Sequence, residues 1–283
     1  MKLVREIVDD LKAKQLAFDK TQDHKVILDC IQRYIELMNT NPDDPEILFQ
    51  LATGYMQLGF FGIASQLFHR AMDHWPASAH LCSNLGVCYR SLHIIQKSRD
   101  YFMKSLMAEE RAETYQNLAA TYINEDRPQD GIGYAEKAMD MAPDNGKIKW
   151  NAALLYLELK DWFKGFTLME SGLVCGERQM RYYNNDRTKE VAWWDGSEGK
   201  TVALWDEQGL GDRLLAFGLL RKLEGRNNTI ILECHDRLYD IVKRSFPWIP
   251  HVFPTSKQER LDWPHGFKLD AKLPVWSLAK LHW

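Results

Sequence analysis

The chain has no long hydrophobic run. Nothing in its 283 residues approaches the ~18 apolar residues of a membrane-spanning helix. The opening MKLVREIVDDLKAKQ is charged and amphipathic, without the apolar core of a secretory leader. Charge of one sign is not in excess either. With 36 Lys and Arg against 39 Asp and Glu the net charge is -3, so no basic field draws nucleic acid. Cysteine is scarce and odd in number, five in all. Cys82 and Cys88 fall within one helical pattern and have neither zinc-ligand nor disulfide spacing. They are expected to be reduced, buried thiols of a cytoplasmic protein, and neither a metal centre nor a cofactor is expected. No Gly-Lys-Ser/Thr follows a glycine loop, which excludes a P-loop nucleotide site.

What the chain does have is a repeat. Tyr55, Tyr89, Tyr122 and Tyr156 are spaced by 34, 33 and 34 residues, the tetratricopeptide period. The rest of the pattern falls into frame. Leu48, Leu51, Ala52, Ala64, Phe68, Ala71 and Pro76 mark the first repeat; Leu85, Gly86, Ser98, Phe102 and Ser105 the second. Leu118, Ala119, Gly131, Ala138 and Pro143 mark the third; Ala152, Ala153, Gly165 and Gly172 the fourth. Small residues recur where the helices of a hairpin come close, and large ones fill the gaps. Pro42, Pro76 and Pro143 end helices. Glu110 takes that place in the second repeat, so a less sharply broken junction is expected there. One hairpin cannot bury its own apolar face, so stacking into a superhelix follows.

The first helix of each hairpin lines the inner face of such a stack. One equivalent position there holds Gln50, Asn84, Asn117 and Asn151. An amide offers both an acceptor and donors. It can therefore pair the backbone of an extended peptide whatever that peptide's sequence. The row resembles the asparagine ladder of O-GlcNAc transferase. The alternative is that these amides bond within their own hairpins. Arg90, near this face, reads as a solvated surface charge.

Beyond about residue 178 the period changes. Thr201 to Trp205, Thr229 to Glu233, His251 to Phe253 and Phe267 to Leu269 read as strands. Asp212 to Leu223 and His235 to Phe246 read as helices. Alternating strands and helices imply a parallel sheet. The expected fold is thus α followed by α/β: a tetratricopeptide superhelix, then a partial Rossmann-like domain. The expected boundaries are 1–44 for a capping helix and half repeat, 45–178 for the repeats, 179–199 for a linker and 200–283 for the partial domain. The pair Trp193 and Trp194 reads as an interdomain wedge or, less simply, a sugar-stacking platform. Leu273 to Trp283 is apolar enough to need cover. It is expected to fold back with Trp276 and Leu278 buried, or else to pack on a second copy.

The chemistry, if any, is expected at the strand-to-helix turn made by Glu207, Gln208, Gly209, Leu210, Gly211 and Asp212. The dinucleotide fingerprint is incomplete there, since Leu214 stands where its third glycine belongs. Asp212 reads as the cap of the following helix. Trp194-Asp-Gly, Gly199-Lys-Thr and the Glu207 to Asp212 string resemble bacterial tetratricopeptide proteins with a C-terminal glycosyltransferase domain, relatives of O-GlcNAc transferase and the heptosyltransferases. The resemblance implies an acceptor-binding half-domain with Asp212 as general base and His235 a second titratable group beside it. It also implies that a donor-binding half, which does not follow Trp276-Ser277-Leu278-Ala279 in this chain, is needed for activity. Two functions follow. One is a peptide-binding repeat module fused to a glycosyltransferase-like half-domain that is not active alone, with an acceptor substrate near the glycine loop. The other is a non-catalytic interaction adaptor.

Overall fold

The computed structural model describes residues 2–21, 23–76, 78–123, 125–175, 190–206, 209–255 and 267–281. The chain forms two compact units, Met1–Asp144 and Asn145–Trp283. The first is a row of antiparallel helical hairpins. Helices α1 (Lys2–Thr21) and α2 (His24–Thr40) pack as a pair. They are followed by α3 (Pro45–Gln57) with α4 (Phe61–Met72), α5 (Ala79–Ser91) with α6 (Ile95–Ala108), and α7 (Ala112–Ile123) with α8 (Pro128–Met141). No described helix is long and apolar enough to cross a membrane.

The repeat is written in the helix ends as well as in the core. Asp44, Ser78 and Asn145 occupy one period position, and each side chain accepts from backbone N–H groups at the start of the next helix, leaving fewer orphan donors there. The first helix of each full repeat ends the same way. In the first full repeat the Phe60 N–H donates to the Tyr55 carbonyl at 2.9 Å and Gly59 to Met56 at 3.0 Å. Ile94 and His93, Arg127 and Asp126, and Asp161 and Lys160 repeat the pair of bonds on Tyr89, Tyr122 and Tyr156 and their neighbours. This double closure needs a left-handed residue. Gly59, His93, Asp126 and Lys160 have φ of 82°, 59°, 60° and 62°. At Glu110 the chain breaks more sharply than expected. Helix α6 stops at Ala108 because Glu109 is extended (φ -158°, ψ 126°), without a proline.

Close helix approach explains the small residues. A Cβ on Gly86 would lie 2.5 Å from the Phe102 ring, and Ser98 Oγ donates to the Gly86 carbonyl at 2.8 Å. Phe102 and Phe68 are fully buried, each contributing about 2 kcal/mol by leaving water. All five cysteines are free. Burial pushes the Cys88 and Cys234 thiols up to about 12, so they are protonated at neutral pH and poor nucleophiles.

The second unit opens with α9 (Gly146–Glu158), α10 (Trp162–Met169) and the short α11 (Ser171–Cys175). Its sheet has five parallel strands in the order β1-β5-β2-β3-β4. These are β1 (Ala192–Trp193), β2 (Thr201–Trp205), β3 (Thr229–His235), β4 (His251–Thr255) and β5 (Ala271–Pro274). The fourth strand is therefore not Phe267 to Leu269, which pack on a sheet face, but the apolar run that follows. Helix α12 (Leu210–Phe217) runs into a 3₁₀ turn over Gly218–Leu223, and α13 is Tyr239–Ser245. With the 3₁₀ segment Val275–Lys280 they cover one face, over Val202, Leu204, Ile230, Leu232 and Leu273. The sheet uses both Trp193 and Trp194. They belong to edge strand β1 and its end, where alternation sends Trp194 into this core and leaves Trp193 41 % exposed. The tail folds back further than expected. It supplies β5 inside the sheet, and Leu278 is fully buried. Trp276 is half-buried and stacks on Phe166 of α10 at 6.1 Å. Glu170 accepts from Ser277 Oγ and pairs with Lys280 Nζ. Trp283 lies outside the described residues.

The turn geometry makes a prediction. His93 is exposed and left-handed, a conformation that costs a non-glycine residue roughly 1–2 kcal/mol, partly offset by glycine's greater unfolded-state entropy. His93→Gly should stabilise the first unit by about 0.5–1 kcal/mol. A urea titration followed by circular dichroism checks it; a midpoint that falls contradicts the assignment.

Candidate functional site

The residues that the sequence singles out fall in two places, one in each unit. In the first unit successive hairpins meet through their first helices, α3 against α5 and α5 against α7, as well as α4 against α5 and α6 against α7. The α3–α5–α7 row is thus the inner side of the stack. Asn84 and Asn117 are half-buried on it. The Asn84 amide makes no hydrogen bond to any described residue. Asn117 Oδ1 accepts from Arg90 Nη1 at 3.4 Å, across from α5 to α7. Gln50 is committed within its own helix, its Nε2 donating to Glu46 Oε1 at 2.9 Å. Glu46 is in turn paired with Lys12 of α1. Asn151 is half-buried on α9 of the second unit. Arg90 departs from expectation: it is half-buried, and burial lowers its pKa. Sequence position alone could not separate it from the exposed arginines.

In the second unit the strand order reverses direction at β2. From β2 the chain moves to β3 and β4 on one side, and β5 then returns on the other. The carboxyl ends of β2 and β5 therefore flank a topological switch point, where open sheets bind ligands. Gly209 to Asp212 follow β2 directly, so the glycine loop is at the right end of the sheet. Glu207 and Gln208 lie outside the described residues. Asp212 does not cap α12. The helix begins earlier, at Leu210, with Gly209 as its uncapped N-cap. Asp212 sits in the first turn, solvent-exposed, where an acid is favoured by the helix dipole. A Cβ on Gly209 would lie 3.2 Å from Asp212 Oδ2, a contact that a shift of a few tenths of an ångström in that exposed side chain relieves. Gly211 has open space around it. His235 ends β3, and its Nδ1 accepts from the Arg237 N–H at 3.2 Å, capping the next turn.

The buried charges are elsewhere. Asp206, directly after β2, and Arg213, one turn into α12, are 5 % and 6 % exposed. Asp206 Oδ2 lies 3.7 Å from Arg213 Nη1 and accepts from the His235 N–H at 2.7 Å. The pair ties the switch-point helix to the ends of β2 and β3. On the sheet face opposite α12 and α13, Glu233 and Lys272 are each 2 % exposed. Lys272 Nζ lies 5.1 Å from the Trp193 ring centroid, and burial lowers its pKa. A sequence signal existed for all four: each is a charge set in or beside an otherwise apolar run. Among the described residues no three His, Cys, Asp or Glu side chains gather into a metal cage.

No family model matches the chain. Over 132 residues it is 27% identical to BBSome complex member BBS4 of Mus musculus, covering 45% of this chain and 25% of that one. The Bos taurus protein of the same name is 27% identical over 126 residues, covering 44% and 24%. The match thus spans about a quarter of the length of these curated relatives. Among solved structures, PilF of Pseudomonas aeruginosa aligns with a TM-score of 0.50 at 13% identity, over 59% of this chain and 77% of that one. The tetratricopeptide protein TTC0263 of Thermus thermophilus aligns with a TM-score of 0.50 at 15% identity, over 58% and 90%. The helical hairpins have the tetratricopeptide fold.

The buried pair and the exposed acid should behave differently. Asp206→Ala removes the buried acceptor of the His235 N–H and the carboxylate facing Arg213, and should cost the second unit about 1–3 kcal/mol. Asp212→Ala should cost no more than about 1 kcal/mol. Urea unfolding followed by tryptophan fluorescence separates them, and equal losses contradict this reading.

Proposed function

We propose that the protein is a protein-binding module that holds an extended segment of a partner polypeptide along the α3–α5–α7 row. The observation that carries this is the Asn84 amide, half-buried on the inner row and without a hydrogen bond to any described residue. The amide's polar atoms are open to solvent, and an extended backbone would satisfy both its donor and its acceptor in place of water. Asn117 holds the equivalent position one hairpin on, with its Oδ1 engaged by Arg90; Gln50 joins the row only on releasing Glu46, and Asn151 is the period equivalent on α9. The curated relatives are named as members of a complex, which accords with a role in assembly. In this reading the sheet unit is a non-catalytic partner of the repeats, and the protein is an adaptor. Asn84→Ala and Asn117→Ala should each weaken binding of a neutral extended peptide by about 0.5–1.5 kcal/mol without lowering the melting temperature. Unchanged affinity in the double variant sinks the proposal.

A second reading is favoured by one observation, the glycine loop lying at the sheet's switch point. Here the sheet is a Rossmann-like acceptor half-domain of glycosyltransferase type, with Asp212 as base on an acceptor hydroxyl and His235 beside it. Both substrates must be held together for transfer, so this reading needs a donor-binding half. Under the adaptor reading, calorimetry against a panel of nucleotide sugars shows no micromolar binding. Binding of any of them would favour the second.

A further inference from the structure

Three arginines of the first unit are drawn in from solvent: Arg90, Arg99 and Arg111. Arg99 is fully provided for. Its Nη2 lies 2.7 Å from Glu125 Oε2, its Nε donates to Thr121 Oγ1 at 3.0 Å, and its guanidinium stacks on the Tyr122 ring at 3.9 Å. Arg111 has Glu113 at 3.8 Å. Arg90 has no carboxylate within 4.0 Å among the described residues. Its one hydrogen bond is the long contact to Asn117. A guanidinium carries five donors in a rigid fork, and charges withdrawn from water are as a rule paired. Arg90 has neither water in full nor a counter-ion, and it points across the same inner row that carries the free Asn84 amide.

We infer that Arg90 is an anion subsite of the groove, and that the polypeptide held there presents a carboxylate to it, beside the Asn117 amide. This rests on the groove reading above. A carboxylate fits because one guanidinium fork matches two oxygens. A phosphate monoester brings a charge of about -2, and among the described residues no second basic group shares the Arg90 contact to Asn117. The carboxylate comes from an Asp or Glu side chain or from a chain terminus.

The test uses the full chain and four fluorescein-labelled ten-residue peptides. One is a neutral Gly/Ser peptide with both ends capped. The others are the same peptide with three Asp residues, with a free C-terminal carboxylate, and with one phosphoserine. At least one carboxylate peptide should bind about tenfold more tightly than the neutral one, the ratio that ~1.4 kcal/mol confers. Arg90→Gln should erase that preference, read as the ratio of carboxylate-peptide to neutral-peptide affinity in the same variant, and Arg90→Lys should restore part of it. Removing a cation that has no internal partner should leave the melting temperature of Arg90→Gln unchanged or raised. Equal binding of neutral and carboxylate peptides leaves the groove standing and overturns the anion subsite. So does a preference that survives Arg90→Gln, or a phosphoserine peptide that outbinds both carboxylates. A melting temperature lowered by several degrees marks Arg90 as structural and overturns it too. Failure of all four peptides to bind overturns the groove and the subsite together.

Discussion

The helical unit depends on how closely the two helices of a hairpin can approach. At Gly86 the space a methyl group would need is taken by the Phe102 ring, and the buried Ser98 hydroxyl, itself a small group, satisfies a carbonyl there. That contact lets the large residue bury completely. It also sets the spacing at which α5 meets α4, α6 and α7 at once. The recurring left-handed turn after the first helix of each full repeat then returns the chain, with both of its backbone bonds in place. Stacking follows from these two constraints, because each hairpin is left with an apolar face only a neighbour can cover.

A stack built this way leaves its inner row under-used. Core packing consumes the small and the large apolar positions, and the caps consume Asp44, Ser78 and Asn145. On α5, Asn84 makes no hydrogen bond to a described residue, and Arg90 bonds Asn117 of α7. Neither is needed to hold a helix, and both are half-buried. Arg99, a few residues away in the chain, shows what a structural arginine looks like here: an acid, a hydroxyl, a carbonyl and a ring all attend it.

In the sheet unit the same logic points the other way. Asp206 and Arg213 are buried, but they attend each other and the backbone of His235. They hold the switch-point helix against the strands, and the exposed Asp212 is left free of that duty. The tail has a structural task as well. Strand β5 lies between β1 and β2, so the apolar residues near the chain's end are a central strand of the sheet. Their burial comes from pairing on both sides, with the 3₁₀ turn after it anchored through Glu170.

The amino-acid sequence by itself determined the repeat. A period of 34, 33 and 34 between Tyr55, Tyr89, Tyr122 and Tyr156 and the small residues between are local features, and each helix obeys them with little regard for what lies far along the chain. The strand-turn-helix at Thr201 to Asp212 was legible for the same reason. Tertiary structure alone decided the rest. Whether Phe267 to Leu269 or Ala271–Pro274 becomes the strand depends on which run lines up beside Val202 to Trp205, since both are short and apolar. Whether Asp212 or Asp206 is the buried acid depends on where α12 begins and on Arg213 reaching back to the strand end. Whether Arg90 is solvated or withdrawn depends on α7, which brings Asn117 against it. Pairing, burial and charge compensation are relations between distant residues, and no periodicity along the chain encodes them.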